Sequence, residues 1–144
     1  MAIKQISVFL ENKPGMLNAM TSVLADAGID LRALSLAETK DVGIVRLIVD
    51  DVFETATILK DNDYISSMTP VVAVMVPDVV GGLQKVLATL TEVGVNLEYM
   101  YCTLAGKESG NAYMILRVED TEKAENALRA AGFRLADQEK MAEM

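Results

Sequence analysis

The feature that most constrains this chain is an internal repeat. Glu11-Asn12-Lys13-Pro14-Gly15-Met16-Leu17 follows an apolar run and opens a helical pattern that closes at Ala27-Gly28. Pro77-Asp78-Val79-Val80-Gly81-Gly82-Leu83 follows a second apolar run and opens a pattern that closes at Val93-Gly94. Gly15 to Gly81 and Gly28 to Gly94 are both separations of 66 residues, and each helix is followed by the same punctuation, Gly28-Ile29-Asp30-Leu31 and Gly94-Val95-Asn96-Leu97. Two copies of one unit divide the 144 residues into expected domains 1–69 and 70–144, each within the size range of small domains.

Within the first copy, Ile3 to Leu10 alternates, with Ile6, Val8 and Leu10 on one face and Ser7, Phe9 and Glu11 on the other, which predicts a strand. Leu17, Met20, Leu24 and Ala27 then form a helical stripe, and Gly28 can take the left-handed conformation that stops it. Leu31–Thr39 and Val42–Asp50 read as strands joined by a tight hairpin at Lys40-Asp41. Asp50-Asp51 can cap a second helix running to Leu59 or Lys60, and Tyr64–Met68 reads as a closing edge strand. The second copy repeats this as Val71–Val76, Gly82–Val93, Leu97–Leu104, Asn111–Val118, Thr121–Ala131 and Phe133–Ala136, its helical stripe being Leu83, Val86, Leu90 and Val93. A longer hairpin, Gly106–Gly110, raises the offset to 69 from there on, as from Val49 to Val118 and Tyr64 to Phe133. An insertion at a hairpin tip leaves the core unchanged.

The expected fold is therefore α+β: two ferredoxin-like βαββαβ units, each an antiparallel sheet with both helices on one face. The other face is left uncovered in this reading, with Phe9, Val71, Ala73 and Met75 on it. Covering such a face contributes several kcal/mol at ~25 cal/mol per Å². Self-association is the expectation, between the copies or between chains as a homo-oligomer (dimer), through the open faces or the sheet edges.

Charge and composition exclude several functions. The net charge of −8 is shared evenly, six Lys/Arg against ten Asp/Glu in residues 1–69 and seven against eleven in 70–144, so neither nucleic acid nor an anionic membrane is an expected partner. There is no His and one Cys, which removes His-dependent triads, histidine metal sites and an internal disulfide, so neither metal nor cofactor is expected. No charged leader precedes a long apolar run, which makes the cytoplasm the expected location.

The run Val8-Phe9-Leu10-Glu11-Asn12-Lys13-Pro14-Gly15-Met16-Leu17, followed by Leu24-Ala25-Asp26-Ala27-Gly28-Ile29-Asp30-Leu31, resembles the ACT domain, an amino-acid-binding regulatory module of amino-acid metabolism. The second copy, with Asp78, Gly81, Leu83 and Gly94-Val95-Asn96-Leu97, is similar but has Val80 where the first has Pro14. The resemblance covers nearly the whole chain, leaving about Asp137–Met144 unassigned, and no catalytic domain is expected beside it. It implies a stand-alone tandem ACT protein, its ligand between neighbouring ACT units.

The residues suit an amino acid on physical grounds as well. A helix opening at Gly15 or Gly81 presents free N–H groups and the positive end of its dipole to a carboxylate, and glycine permits close approach to the backbone. Asn12 or Asp78 on the loop, with Asp30 or Asn96 after the helix, could accept from an α-ammonium group. The candidate ligand residues are thus Asn12, Pro14, Gly15, Met16, Leu17 and Asp30 in one copy, and Asp78, Gly81, Gly82, Leu83 and Asn96 in the other. If the copies face each other, a neutral Asn12/Asn96 pair is expected to make a better site than an Asp78/Asp30 pair. The bland reading of the same residues is that they cap helices and serve turns.

Other residues read as structural. Cys102 lies in an apolar strand pattern and is expected to be buried filler. Met16, Met20, Met75, Met100 and Met114 read as core; Tyr99, Tyr101 and Tyr113 either line a pocket or pair across strands; Asp50-Asp51 and Glu119-Asp120 read as helix starts rather than cation ligands. The function implied is a non-enzymatic amino-acid-binding regulator. The alternative is a regulatory subunit similar to that of acetolactate synthase, gripping an amino-acid-metabolism enzyme. A small hydrolase would need Arg at an anion loop, and neither loop contains one.

Overall fold

A computed structural model describes residues 2–39, 41–103 and 111–143. The element order is β1 (Ile3–Glu11), α1 (Met16–Asp26), β2 (Leu31–Glu38), β3 (Val42–Val49), α2 (Val52–Asp61), β4 (Ile65–Pro77), α3 (Gly82–Glu92), β5 (Leu97–Cys102), β6 (Asn111–Val118), α4 (Thr121–Ala130), β7 (Leu135–Ala136) and α5 (Gln138–Glu143). The chain divides into two compact units, Lys4–Thr69 and Pro70–Met144 together with Met1–Ile3.

In the first unit β3 lies between β1 and β2, all antiparallel, with Val8 opposite Val45 and Leu36 opposite Val45 on the other side. The other neighbour of β1 is β4, whose opening residues belong to this unit. Ile6, Val8, Leu10, Val45, Leu47 and Val49 turn to the helices and pack with Met20, Leu24 and Leu59. In the second unit β6 lies between β4 and β5, and β7 pairs with β4 through Ala73–Ala136 and Val74–Leu135. Its core is Val72, Val74, Val76, Val86, Leu90, Leu116, Val118, Ala124 and Leu128. Both units are thus α+β with two helices on an antiparallel sheet. Gly28 and Gly94 end their helices at positive φ, 78° and 71°, where glycine avoids the Cβ penalty.

Three expectations need correction. Tyr64–Met68 and Val71–Val76 are not separate strands: β4 runs unbroken from Ile65 to Pro77. Pro70 lacks an N–H, yet it precedes the first position paired with β6, Val72 opposite Leu116, so no bond of that ladder is lost. The uncovered sheet face also fails in the second unit. Val71, Ala73 and Met75 are buried along with Val72, Val74 and Val76, as expected of a strand whose apolar run never alternates and is therefore covered on both sides. On β1 Phe9 stays 42% exposed, whereas Ile3, Gln5 and Ser7 on the same face of the strand are buried, and Gln5 Nε2 donates to Ser7 Oγ at 3.0 Å. Third, Cys102 is exposed rather than buried, because β5 is an edge strand; its Sγ donates to Met114 Sδ at 3.1 Å.

The unassigned tail forms α5 and buries Met141 completely. The second hairpin, Gly106–Gly110, the end of the predicted strand at Leu104, and Lys40 of the first hairpin lie outside the described residues.

Candidate ligand site at the helix entrances

The loops that open α1 and α3 have the same geometry. Gly15 and Gly81 sit at the N-caps with φ of 84° and 81°, and neither helix has a side-chain cap or an acidic residue in its first turn. Both glycines face open space where a Cβ would stand, so positive φ rather than crowding calls for glycine. The turn satisfies the first amide of each helix, Met16 N–H to Lys13 O at 3.3 Å and Gly82 N–H to Val79 O at 3.1 Å. The N–H groups of Leu17 and Asn18, and of Leu83 and Gln84, have no acceptor among the described residues. Two free amides at a positive helix end can receive one carboxylate.

The surroundings of the two entrances differ. In the first unit Leu10, Asn12, Met16, Leu17, Leu36, Glu38 and Gly43 line a hollow of about 60 Å³. Asn12 Nδ2 donates to Glu38 Oε2 at 3.0 Å. Beside it Lys13 Nζ lies 2.7 Å from Glu11 Oε2. That hydrogen bond and the attraction between the charges hold the Glu11 carboxyl below its ordinary range and raise Lys13 above its own. The pair's stabilisation is therefore lost as pH falls through the lowered value of Glu11, or rises through the raised value of Lys13. In the second unit the hollow measures about 290 Å³ and is lined by Val76, Pro77, Asp78, Val79, Leu83, Ala112 and Met114. The Asp78 side chain has no partner among the described residues.

The entrances thus bring together Asn12, Met16 and Leu17 in one unit and Asp78 and Leu83 in the other, with Gly15 and Gly81 setting each turn. Asp30 and Asn96 lie past the far ends of α1 and α3. Each helix has 11 residues and is about 16 Å long at 1.5 Å per residue, so an entrance and an exit of the same unit cannot hold one amino acid. Asp30 is already engaged: its Oδ2 accepts from Arg32 at 2.9 Å and its N–H donates to Asp50 Oδ1 at 3.0 Å. Asn96 is exposed and without a partner among the described residues. Glu38, Leu36, Ala112 and Met114 were not among the predicted residues. Only the strand register reveals them, since Glu38 stands opposite Gly43 on the hairpin next to the loop.

Asp51 and Asp120 cap α2 and α4, accepting from Glu54 N–H at 3.0 Å and Lys123 N–H at 3.1 Å, so the acidic pairs act as helix starts. Among the described residues no cluster of three metal-ligating side chains occurs, and no helix is long and apolar enough to cross a membrane.

A family model described as an ACT domain pair matches residues 1–144. Among solved structures, protein BT0572 from Bacteroides thetaiotaomicron is similar with 38% identity and a TM-score of 0.93, over 100% of this chain and 98% of that one. The ligand-free regulatory subunit of aspartate kinase from Thermus thermophilus has 19% identity and a TM-score of 0.69, over 92% of each chain. The corresponding subunit from Thermus flavus has 15% identity and a TM-score of 0.63, over 92% of this chain and 94% of that one. The last two likenesses show the fold alone. A search of curated proteins found no match. With its repeat, its two βαββαβ units and its paired glycine entrances, the chain belongs to the ACT domain pair family.

Proposed function

We propose that this protein is a non-catalytic regulator that binds a free amino acid at a helix entrance, the ligand's carboxylate on the unpaired amides and its ammonium group on the loop side chain. One observation carries this reading. In each unit the second helix is closed by an aspartate cap and an acidic first turn, whereas the first helix is left open with neither. A ligand that binds one arrangement of the protein more tightly than another shifts the population towards it, which is how such a module would signal.

Thermal denaturation in the presence of each amino acid tests the reading. A ligand at about 100 times its dissociation constant stabilises by ~2.7 kcal/mol, a rise in midpoint of several degrees. No rise with any amino acid would defeat it. A second reading is that the chain grips a catalytic partner. Exposed Phe53 and Ile65 and the fold shared with aspartate kinase regulatory subunits favour it, and co-purification of an enzyme without any ligand-induced shift would establish it.

A further inference from the structure

The two entrances share their backbone and differ in what occupies them. At the first, the Asn12 amide is engaged by Glu38 at 3.0 Å, and Met16, packed against the unit's core, lines a hollow of about 60 Å³. Small-molecule sites measure roughly 300–1,000 Å³, a range whose lower edge the second hollow, at about 290 Å³, nearly reaches and the first does not approach. At the second, the residue at the position of Met16 is Gly82. A Cβ there would stand 2.4 Å from the Pro77 carbonyl oxygen, so the turn admits no side chain and none projects inwards. The hollow is about 290 Å³, its walls are Val76, Pro77, Val79, Leu83, Ala112 and Met114, and its one charged group is Asp78.

We propose that the second unit's hollow is the ligand site of the chain and selects amino acids with apolar side chains, Asp78 holding the ammonium group. The Asn12–Glu38 contact and Met16 keep the first entrance closed. This rests on the amino-acid reading above and refines it, and it reverses the sequence-based preference for Asn12. The selectivity follows from the walls. A charged side chain laid against these apolar groups would lose part of its hydration, whereas an apolar one would cover them from water. Asp78 suits the ammonium group because a carboxylate is an acceptor only, and charge-assisted hydrogen bonds are the strong ones.

Isothermal titration of the full chain with L-leucine, L-isoleucine, L-valine, L-methionine and L-phenylalanine, against L-aspartate and L-lysine, tests this. The expected result is one apolar amino acid per chain. Asp78→Asn should weaken it about tenfold or more, the loss of one charge-assisted hydrogen bond, and Asn12→Ala should change it less than about twofold. Ala112→Phe, which fills the hollow, should abolish binding with the circular dichroism spectrum unchanged, and Glu38→Ala should reveal a second, weaker event. Two equivalent ligands per chain, loss of binding on Asn12→Ala but not Asp78→Asn, or preference for L-aspartate or L-lysine would overturn this proposal while leaving the amino-acid reading standing. A single event persisting in Glu38→Ala would overturn the role given to Glu38. No binding of any amino acid to the wild type or to Glu38→Ala would remove the amino-acid reading itself, and this proposal with it.

Discussion

Each unit carries a pair of helices of nearly equal length, α1 with α2 and α3 with α4, that begin in opposite ways. α2 and α4 start at Asp51 and Asp120, whose carboxylates accept a first-turn N–H, and carry Glu54 and Glu122 at the positive end of the dipole. α1 and α3 start at left-handed glycines with no side-chain cap and no acid. A cap is worth about 1 kcal/mol, so the open ends forgo stability that the same chain secures elsewhere. Both copies forgo it at the same place, although their loops differ at nearly every other position, Asn12-Lys13-Pro14 against Asp78-Val79-Val80. The open end therefore belongs to the unit rather than to one loop sequence.

The sharpest break between the two entrances lies one residue past the glycine they share. Gly82→Ala drives a Cβ to 2.4 Å from the Pro77 carbonyl oxygen and should cost about 3 kcal/mol, the upper range for overpacking against groups that cannot move aside. Gly15→Ala meets nothing within 4 Å but must hold φ near 84°, and should cost only about 1 kcal/mol. Chemical denaturation midpoints of the two variants measure the difference, and equal losses would mean that the turns are not distinct. Next in size are the caps. Asp51→Ala and Asp120→Ala should each lose about 1 kcal/mol, while Asn12→Ala and Asp78→Ala, which cap nothing, should stay within about 0.5 kcal/mol. Comparable losses in all four would erase the contrast between closed and open helices.

Much of this was legible because repeats and glycines report backbone geometry directly. The constant separation from Gly15 to Gly81 and Gly28 to Gly94 placed both first helices, and each of those glycines does have positive φ. The aspartate caps were equally plain, since Asp51 and Asp120 precede helical stripes. Tertiary facts were not. Tyr64–Met68 and Val71–Val76 read as two strands with Pro70 between them, yet a proline ahead of the stretch paired with β6 breaks no bond of that ladder. Val71–Val76 was split between two faces, although a run with no polar member signals burial on both. In the candidate site the loop residues were visible, but Glu38 and Met114 approach through strand pairing, which no local pattern encodes. The inequality of the hollows was hidden too, because it depends on what Met16 fills and Gly82 leaves empty.

The smallest change in stability is the most direct probe of the open ends. Asn18 and Gln84 occupy the third helical position of α1 and α3, where an acid meets the free amides and the positive dipole. Asn18→Asp and Gln84→Glu should each stabilise the protein by about 0.3–1 kcal/mol, read as a raised denaturation midpoint at low salt and diminished at high salt. Their effects on ligand should separate. The new carboxylate of Gln84→Glu competes for the amides a bound amino acid needs, so binding at the second entrance should weaken about tenfold, as for one lost charge-assisted hydrogen bond. Asn18→Asp, at the entrance closed by Glu38 and Met16, should leave binding unchanged. Stabilisation by neither acid would mean that the amides are not free to receive a carboxylate. Equal loss of ligand in both variants would mean instead that both are in use, and that the two entrances work alike.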